Sequence, residues 1–415
     1  MEKKNIPFSP PDIGEAEIAE VGEAMRSGWI TTGPRTKKLE NNLKEYCSSA
    51  GLVCLNSATA ALELNLRMLG IGEGDEVIVP AYTYTASASP IDHVGAKIVF
   101  VDSKKDSTDL DYEQVEKAVN ERTKAIISVD LGGVIADYDS SFKTAEEKKN
   151  IFTPSNEIQQ KIGRIAVIAD CAHSLGAVRD GKKAGSIADF SSFSFHAVKN
   201  FTTAEGGAAS WKHIDGIDDG ELYHNYQLYS LHGQSKDAFS KNQPGAWEYD
   251  IIAPLYKCNM TDITAAIGLK QLERYPGMLK RRKDIIEYYD GRLDKIGVFH
   301  LNHYSPSHSS SGHLYITRVP GISHGQRCEI IAEMALRGIA CNVHYKPLPM
   351  HTAYKDLGFD IGNFPNAYAH FANEITLPLH TCLSDEDVDY VIENYVEVLR
   401  EYINYDVEKM GTATA

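Results

Sequence analysis

The chain has 415 residues, of which 43% are hydrophobic and 24% charged, close to the average for globular proteins. Its 42 Lys and Arg residues against 57 Asp and Glu give a formal charge of −15, which repels polyanions and argues against nucleic acid as a partner. The opening residues MEKKNIPFSPPDIGEAE are charged, and nowhere do about 18 apolar residues run together. We therefore expect a cytoplasmic protein with neither a signal peptide nor a membrane span.

Seven cysteines are widely spaced, and no Cys-x-x-Cys pair occurs. An odd number at such spacings is typical of reduced thiols and not of a disulfide framework or a zinc site. We expect no metal in the functional site.

Apolar runs and helical patterns alternate through the first two thirds of the chain. Helices are predicted at 60–69 and 113–119, and strands at 51–55, 76–80, 97–102, 125–131, 164–170 and 190–195. Continuous apolar strands alternating with helices indicate a parallel sheet covered on both faces. Ligands of such sheets lie beyond the carboxyl ends of the strands.

Two regions depart from this alternation. Residues 139–163 are long, polar and charged, which predicts a surface excursion between two core strands. After about Tyr275 a helix (MLKRRKDIIEYYDGRL) is followed by strand-like segments at 313–319 and 338–345 and by helices at 326–337 and 385–402. The sequence thus predicts a large domain over 1–274, a smaller C-terminal α/β domain over 275–405 and a frayed tail over 406–415.

Lys199 and Asp170 are the first two candidates for chemistry. Lys199 follows the strand-like FSSFSF, and a desolvated lysine loses its proton readily and attacks carbonyl groups. Asp170 ends the apolar run RIAVIAD, at the edge of the sheet where ligands bind, and a carboxylate buried there needs a partner. One strand separates the two, so neighbouring strand ends bring them together.

Two further features are a helix start and an aromatic pair. Asn56 and Ser57 precede a predicted helix, whose first N–H groups at Ala58 and Thr59 would form a phosphate site. Tyr82 and Tyr84 follow the strand EVIVP, where an aromatic ring can stack on a flat ligand. Each of the four features alone has an ordinary explanation: a surface lysine, a helix cap at Asp170, a plainly capped helix and a core aromatic.

Together, the four features meet the requirements of pyridoxal phosphate. This cofactor needs a lysine for its Schiff base, an aspartate for its pyridinium nitrogen and a cradle for its phosphate. The order along the chain is cradle, aromatic residue, Asp and Lys, and this joint occurrence is far more specific than any one feature.

A series of segments identifies a family. They are SGWITTGP (27–34), LNSATAALEL (55–64), GDEVIVPAYTYTA (74–86), IADCAHSLGA (168–177), FSFHAVKNFTTAEGG (193–207), LHGQSKDAF (231–239), YKCNMTDITAAIGLKQLER (256–274), VHYKPLPMH (343–351) and ITLPLH (375–380). From about residue 6 to 400 the chain resembles the sugar-nucleotide aminotransferases of the DegT/DnrJ/StrS type, and within them the UDP-4-amino-4-deoxy-arabinose synthase-like branch. The resemblance implies an aspartate aminotransferase-like α/β fold (fold type I) with a mostly parallel seven-stranded sheet in the large domain.

The resemblance also implies roles for particular residues. Lys199 would form the Schiff base and later move the proton, Asp170 would pair with the pyridine nitrogen, and Tyr84 would stack on the ring. His173 matches a position near that ring, and Ser194 would hold the phosphate together with the amides of Ala58 and Thr59. Asn259 would reach the phosphate of the other subunit's cofactor, which implies a homodimer with shared sites. Segments that line the sugar-nucleotide cleft of the family contain Trp29, Thr31, His344 and Tyr345.

The implied reaction transfers an amino group from glutamate to a keto-sugar nucleotide, at carbon 4 of a UDP- or dTDP-linked sugar, for cell-surface polysaccharide such as lipopolysaccharide. Candidate cations for the nucleotide are Lys236, Lys241, Lys257 and Arg274. The chain departs from the family's usual pattern in three places, which concern substrate contacts more than cofactor chemistry: Asp130 and Gly132 stand at the end of a strand that usually ends His-x-x-Gly, Leu255-Tyr256 replaces Gly-Tyr, and the segment 139–163 is longer.

Three other functions compete with this interpretation. A sugar dehydratase of the same fold would carry His where Lys199 stands. A dinucleotide-dependent oxidoreductase would show Gly-x-Gly-x-x-Gly after the first strand, and LNSATAALEL does not. A regulatory member of the family with altered catalysis stays open, because fold alone does not decide activity.

Overall fold

The computed structural model describes residues 3–235 and 248–403. Its centre is a seven-stranded sheet with the spatial order β1-β9-β8-β5-β4-β2-β3. The strands are β1 (Gly51–Leu55), β2 (Glu76–Pro80), β3 (Lys97–Val101), β4 (Thr123–Val129), β5 (Ala166–Asp170), β8 (Phe190–Ser194) and β9 (Gly207–Trp211). The pairs from β3 across to β8 are parallel, and β9 pairs antiparallel with both β8 and β1.

Helices and apolar cores cover both faces of this sheet. The helices of this part are α1 (Glu15–Arg26), α2 (Pro34–Cys47), α3 (Ala58–Met68), α4 (Ser89–His93), α5 (Tyr112–Ala118), α6 (Tyr138–Glu147), α7 (Glu157–Ile162) and α8 (Asp219–Ser230). One core contains α3 and α4, and the other contains α2, α5 and α6. Because every strand is covered on both faces, the sequence shows continuous apolar runs instead of alternation.

The predicted strands match β1 to β5 and β8 to within two residues at each end. β4 ends at Val129 instead of residue 131. Its successor Asp130 accepts hydrogen bonds from the Ala136 N–H (2.9 Å) and the Tyr138 hydroxyl (2.8 Å). These bonds turn the chain away from the sheet.

The prediction of a surface excursion at 139–163 needs correction. The segment links β4 to β5 through α6, a short 3₁₀ helix (Lys149–Ile151) and α7. Asp137 and Asn156 cap α6 and α7, while Ser141, Thr144 and Gln159 are buried. Its charged residues lie on the outer faces of these helices. The narrow buried face consists of small and amide side chains, which do not give the apolar pattern by which a buried helix is predicted from sequence.

The C-terminal part is built on α9 (Asp262–Leu293), which continues past the predicted division at 274/275. The strands β10 (Phe299–His300), β12 (Tyr315–Arg318) and β13 (Glu374–Leu377) form an antiparallel sheet; β6 (Val178–Arg179), β7 (Lys182–Lys183) and β11 (His308–Ser309) form another. The remaining helices are α10 (His324–Leu336), α11 (Thr352–Asp356), α12 (Pro365–Ala372) and α13 (Asp385–Leu399). The domain limits stay a prediction.

The strand-like segment 338–345 forms no strand. It makes two isolated bridges, Ile6 to Ile339 and Asn342 to Thr376, which tie the N-terminal segment and β13 together. Within 3–235 and 248–403 no helix is long and apolar enough to cross a membrane. The predicted tail at 406–415 lies outside the described residues, as do Lys236 and Lys241.

Candidate active site

A cavity of about 370 Å³ opens at the carboxyl ends of β2, β4, β5 and β8. This is the edge of the sheet where the sequence places its candidates. Of the predicted site residues, the cavity is lined by Ala58, Thr59, Tyr84, Asp170, His173, Ser194, Lys199, His344 and Tyr345. Trp29, Thr31 and Asn259 are not among its lining residues.

Asp170 is the last residue of β5 and is almost fully buried, with 4% of its surface exposed. Its Oδ2 accepts a hydrogen bond from the Ser87 hydroxyl (2.7 Å), and its Oδ1 accepts one from the Ala172 N–H (3.1 Å). Burial raises the pKa of Asp170, while these two donors and the positive charge of Lys199 oppose the rise. The carboxylate still has free lone pairs, which can accept a hydrogen bond from a protonated atom of a ligand.

Lys199 follows β8 and faces the same cavity. No hydrogen bond or ion pair to Nζ is found within the described part of the chain. Burial lowers the pKa of Lys199 to about 8, and the negative charge of Asp170 opposes this shift. At pH 7 about a tenth of the amine is therefore uncharged and nucleophilic.

The N-terminus of α3 forms the wall beside these groups. Ser57 caps the helix by accepting a hydrogen bond from the Ala60 N–H (3.1 Å), so Ala58 and Thr59 form its first turn. A Cβ atom at Gly207 would lie 2.5 Å from the Ala58 nitrogen, so only glycine lets β9 approach here. Ser194, at the end of β8, lines the same wall. The arrangement suits an anion.

Two aromatic rings and His173 also line the cavity. The rings of Tyr84 and Tyr345 are 5.8 Å apart and tilted by 38°. His173 Nδ1 accepts a hydrogen bond from the Gly132 N–H (3.2 Å), so the hydrogen of the neutral ring lies on Nε2 and is donated to the Tyr345 hydroxyl (3.2 Å). Burial holds the pKa of His173 well below its usual range. Its ring is therefore fixed in one tautomer.

Matches to known proteins identify the family. The model of the DegT/DnrJ/EryC1/StrS aminotransferase family matches residues 11–396. The chain belongs to this family. The match confirms the predicted family and the predicted class of enzyme, a transaminase.

Individual relatives are similar over nearly their whole length. SpsC of Bacillus subtilis, a spore coat polysaccharide biosynthesis protein, is 35% identical over 406 residues, covering 96% of this chain and 99% of SpsC. Spr1654 of Streptococcus pneumoniae, assigned as a sugar aminotransferase, is 59% identical in its PMP form, with a TM-score of 0.94, covering 96% of this chain and 100% of that one. PseC of Helicobacter pylori, an aminotransferase involved in pseudoaminic acid biosynthesis, is 28% identical with a TM-score of 0.84, covering 96% and 100%. These similarities confirm the predicted fold class.

Asp130 and Gly132, where the chain departs from the family's usual pattern, have structural roles beside the cavity. Asp130 is fully buried and also accepts a hydrogen bond from the Ser174 hydroxyl (2.5 Å). Burial raises the pKa of Asp130 to about 6, against the effect of its hydrogen-bond donors. Gly132 has φ = 68°, a conformation that favours glycine, and its N–H is the donor to His173.

The predicted residues outside the cavity lie together at another place. The Asn259 amide donates a hydrogen bond to the Thr32 hydroxyl, and the Trp29 ring N–H donates one to the Thr32 carbonyl (3.1 Å). The neighbouring Thr31 carbonyl accepts a hydrogen bond from the Asp262 N–H (3.1 Å).

Of the candidate cations, Arg274 forms ion pairs with Asp12 (2.6 Å) and Glu17 (2.8 Å), so its charge is already paired within the chain. Lys257 contacts the Asn259 side chain.

The sequence did not point to two polar residues of the site, Ser87 and His313. Ser87 is the donor to Asp170, and its only sequence signal is the polar run after β2. His313 lines the cavity, and its Nδ1 lies 2.9 Å from the Asn200 Oδ1, next to Lys199. No sequence signal connects residue 313 with β8, because the C-terminal part of the chain brings it there.

Proposed function

We propose that the protein is a pyridoxal-phosphate-dependent sugar aminotransferase. It would transfer an amino group from glutamate to a keto-sugar nucleotide, at carbon 4 of a UDP- or dTDP-linked sugar, in the synthesis of a cell-surface polysaccharide. The observation that carries the proposal is the convergence of Lys199, Asp170 and the α3 N-terminus on one cavity. The similarity to SpsC, PseC and the PMP and PLP forms of Spr1654 supports it.

The residues of the cavity fit this cofactor on three counts. Lys199 has an amine of lowered pKa without a hydrogen-bond partner in the described chain. Asp170 has a buried carboxylate with free lone pairs that would hold a protonated ring nitrogen. The first turn of α3 and the Ser194 hydroxyl would receive the phosphate, and the glycine at residue 207 allows β9 to pack directly against the start of α3.

Bound pyridoxal phosphate supplies an aldehyde that takes up the amino group and a ring that accepts electrons. Lys199 would hold the cofactor in place and then act as the base that moves a proton from the donor's alpha carbon. Asp170 would keep the ring nitrogen protonated through its negative charge, which Ser87 and Ala172 stabilise by hydrogen bonds. Tyr84 would cover one face of the ring.

A homodimer completes the proposal. Asn259 is bridged to Leu55, the last residue of β1, yet does not line the cavity of its own chain. In a dimer with shared sites, Asn259 would contact the phosphate of the cofactor that is bound in the partner subunit. The segment of the same chain that contains Trp29 and Thr31 would lie near that contact.

The decisive experiment has two stages. First, glutamate is added to the purified holoenzyme, and the visible absorbance of the cofactor should shift as the amino group is taken up. The aminated enzyme is then given UDP- and dTDP-linked 4-keto-sugars, with 3-keto-sugars as controls, and the products are weighed by mass spectrometry. Amination of a 4-keto-sugar is expected. If glutamate changes the spectrum but no keto-sugar is aminated, the sugar assignment is wrong; if glutamate changes nothing, the donor assignment is wrong.

A further inference from the structure

The two ring nitrogens of His344 have different surroundings: one lies against a side chain of the protein, and the other has no hydrogen-bond partner in the described chain. Its Nδ1 lies 2.9 Å from the Thr376 hydroxyl oxygen, while Nε2 has no hydrogen-bond partner and the residue lines the cavity. The ring of Phe8 stacks on it, with centroids 5.5 Å apart. Burial and the charge of Lys199 lower the pKa of His344 to about 3, so the ring is neutral and carries a single ring N–H.

Behind Thr376 lies Glu374, a carboxyl group with no exposed surface. Its Oε1 is hydrogen-bonded to the Thr376 hydroxyl (2.5 Å), and its Oε2 accepts the backbone N–H of His344 (2.8 Å). Both residues lie on β13, two positions apart and therefore on one face of the strand. A continuous hydrogen-bonded chain thus runs from Glu374 through Thr376 to His344 at the cavity wall.

We propose that the protonation state of Glu374 determines, through Thr376, which ring nitrogen of His344 carries the hydrogen. It thereby determines whether Nε2 presents a hydrogen-bond donor or an acceptor to a ligand in the cavity. The inference rests on the proposed function only in its consequence for the sugar. Glu374 and Thr376 are positioning residues, and His344 is the group that faces the ligand.

Glu374, Thr376 and His344 can share their hydrogens in two ways, which differ by one proton. With Glu374 ionised, the Thr376 hydroxyl donates to the carboxylate and accepts from Nδ1–H, so Nε2 presents a lone pair. When a proton enters at Nε2 from the cavity, the Nδ1 hydrogen moves to Thr376 and the Thr376 hydrogen moves to Glu374. The carboxyl group then donates to Thr376, the hydroxyl donates to Nδ1, and Nε2 carries the hydrogen.

The surroundings of Glu374 favour its neutral form near neutral pH. Burial raises the pKa of Glu374 to about 8, while the hydrogen bonds from the Thr376 hydroxyl and the His344 N–H and the positive charge of Arg327 oppose the rise. Within the described residues no cation forms an ion pair with Glu374; the titratable or charged groups that face it are Tyr82, Arg318, Arg327, Cys341, His344, Tyr345 and Tyr395. At pH 7 the cavity should therefore meet an N–H donor, which suits a carbonyl or hydroxyl oxygen of a sugar.

The test reads the tautomer directly by long-range proton–nitrogen NMR of the holoenzyme with nitrogen-15 histidine, the His344 signals being those missing in His344→Gln. From about pH 6 to about pH 10 the wild type should change from Nε2–H to Nδ1–H with a midpoint near pH 8. Glu374→Gln should keep Nε2–H throughout, because an amide N–H replaces the acid O–H. Thr376→Ser should behave like the wild type, and Thr376→Val should lose the change.

A tautomer that does not change with pH in the wild type, or a Thr376→Val enzyme that still changes it, overturns the proposal; both measurements stand without Glu374→Gln should that variant not fold. A second readout is the KM for the keto-sugar that the panel identifies. This KM should rise about tenfold between pH 7 and pH 9 in the wild type and stay constant in Glu374→Gln. The half-reaction with glutamate should be the same in Glu374→Gln as in the wild type. The NMR measurement needs no sugar, so its failure is distinct from a failure of the proposed function.

Discussion

Burial controls the chemistry of the ionisable side chains around the cavity. It lowers the pKa of Lys199 and of three surrounding histidines, and it raises the pKa of Asp170. The histidines are His173, His313 and His344, all neutral, so they contribute hydrogen bonds and no positive charge. Apart from the exposed His196 and Glu205, the charged groups that line the cavity in the described chain are Lys199 and Asp170.

Lys199→Ala should abolish turnover and the visible absorbance of the lysine-bound cofactor, because no other primary amine lines the cavity in the described residues. The measurements are an absorbance spectrum and an activity assay, followed by borohydride trapping and peptide mapping. Lys143→Ala, at an exposed lysine of α6, is the matched control and should leave both unchanged. An active Lys199→Ala enzyme would remove this residue from its proposed role.

Ser87→Ala should weaken the enzyme most at acidic pH. The lost hydroxyl leaves the Asp170 carboxylate with the Ala172 donor only, so the pKa of Asp170 rises further and less of it is ionised at a given pH. We expect a loss of kcat of at most about tenfold, the effect of one lost hydrogen bond, which is larger at pH 6 than at pH 8. Ser89→Ala is the control, and a uniform loss at all pH values would contradict this explanation.

At the scale of elements, the first residue of α9 organises the start of α2. The Asp262 carboxylate accepts hydrogen bonds from the Gly33 N–H (2.8 Å), the Arg35 N–H (3.0 Å), and both the N–H and the hydroxyl of Thr36 (2.9 and 2.8 Å). Its own N–H donates to the Thr31 carbonyl (3.1 Å). Two segments more than 200 residues apart are thus joined at the place where Trp29, Thr31 and Asn259 meet.

Asp262→Ala should lower the free energy of unfolding by about 2 kcal/mol or more, because it leaves three N–H groups at a largely buried helix start without an acceptor. Chemical denaturation measures the effect. Asp262→Asn is the matched variant: its amide oxygen keeps the bonds made by Oδ1 and loses only that to Arg35, so it should cost less. Equal stability of the two variants would show that the hydrogen bonds accepted by Oδ1 contribute little.

At the scale of the whole molecule, the net charge of −15 opposes an anionic nucleotide-sugar, so binding must depend on local groups. The cavity of one chain offers Lys199, the α3 N-terminus and neutral donors. Arg274 is occupied by Asp12 and Glu17. The proposed dimer would add the partner subunit's Asn259 to each site.

Mixing Lys199→Ala chains with Asn259→Ala chains tests that shared site. In a mixed dimer one site lacks both groups and the other has Lys199 from one chain and Asn259 from its partner. After unfolding and refolding together, half of the dimers are mixed, so about a quarter of the wild-type activity should return from two impaired proteins. Activity no greater than the mean of the two separate variants would show that each chain builds its own site.

The sequence by itself predicted that Lys199, Asp170 and the start of α3 lie at one edge of the sheet, because the position of each follows from neighbouring residues. Asp170 ends an apolar run, Lys199 follows the next one, and Ser57 precedes a helix, so each group's place at the edge of the sheet follows from the chain beside it. The same locality explains why the strands were predicted to within two residues. It also explains the error at 139–163, where a buried face of small residues is invisible in the composition.

The tertiary structure alone decided the hydrogen bonds that tune these groups. Ser87 reaches Asp170 across 83 residues, Glu374 receives the backbone N–H of His344 from 30 residues away, and His313 approaches the residue next to Lys199 from the C-terminal part of the chain. Such contacts carry no periodicity and no local signal, because they depend on how separate elements pack. The residue types and their order determined the chemistry of the protein, whereas packing determined burial, and burial determined which groups are charged.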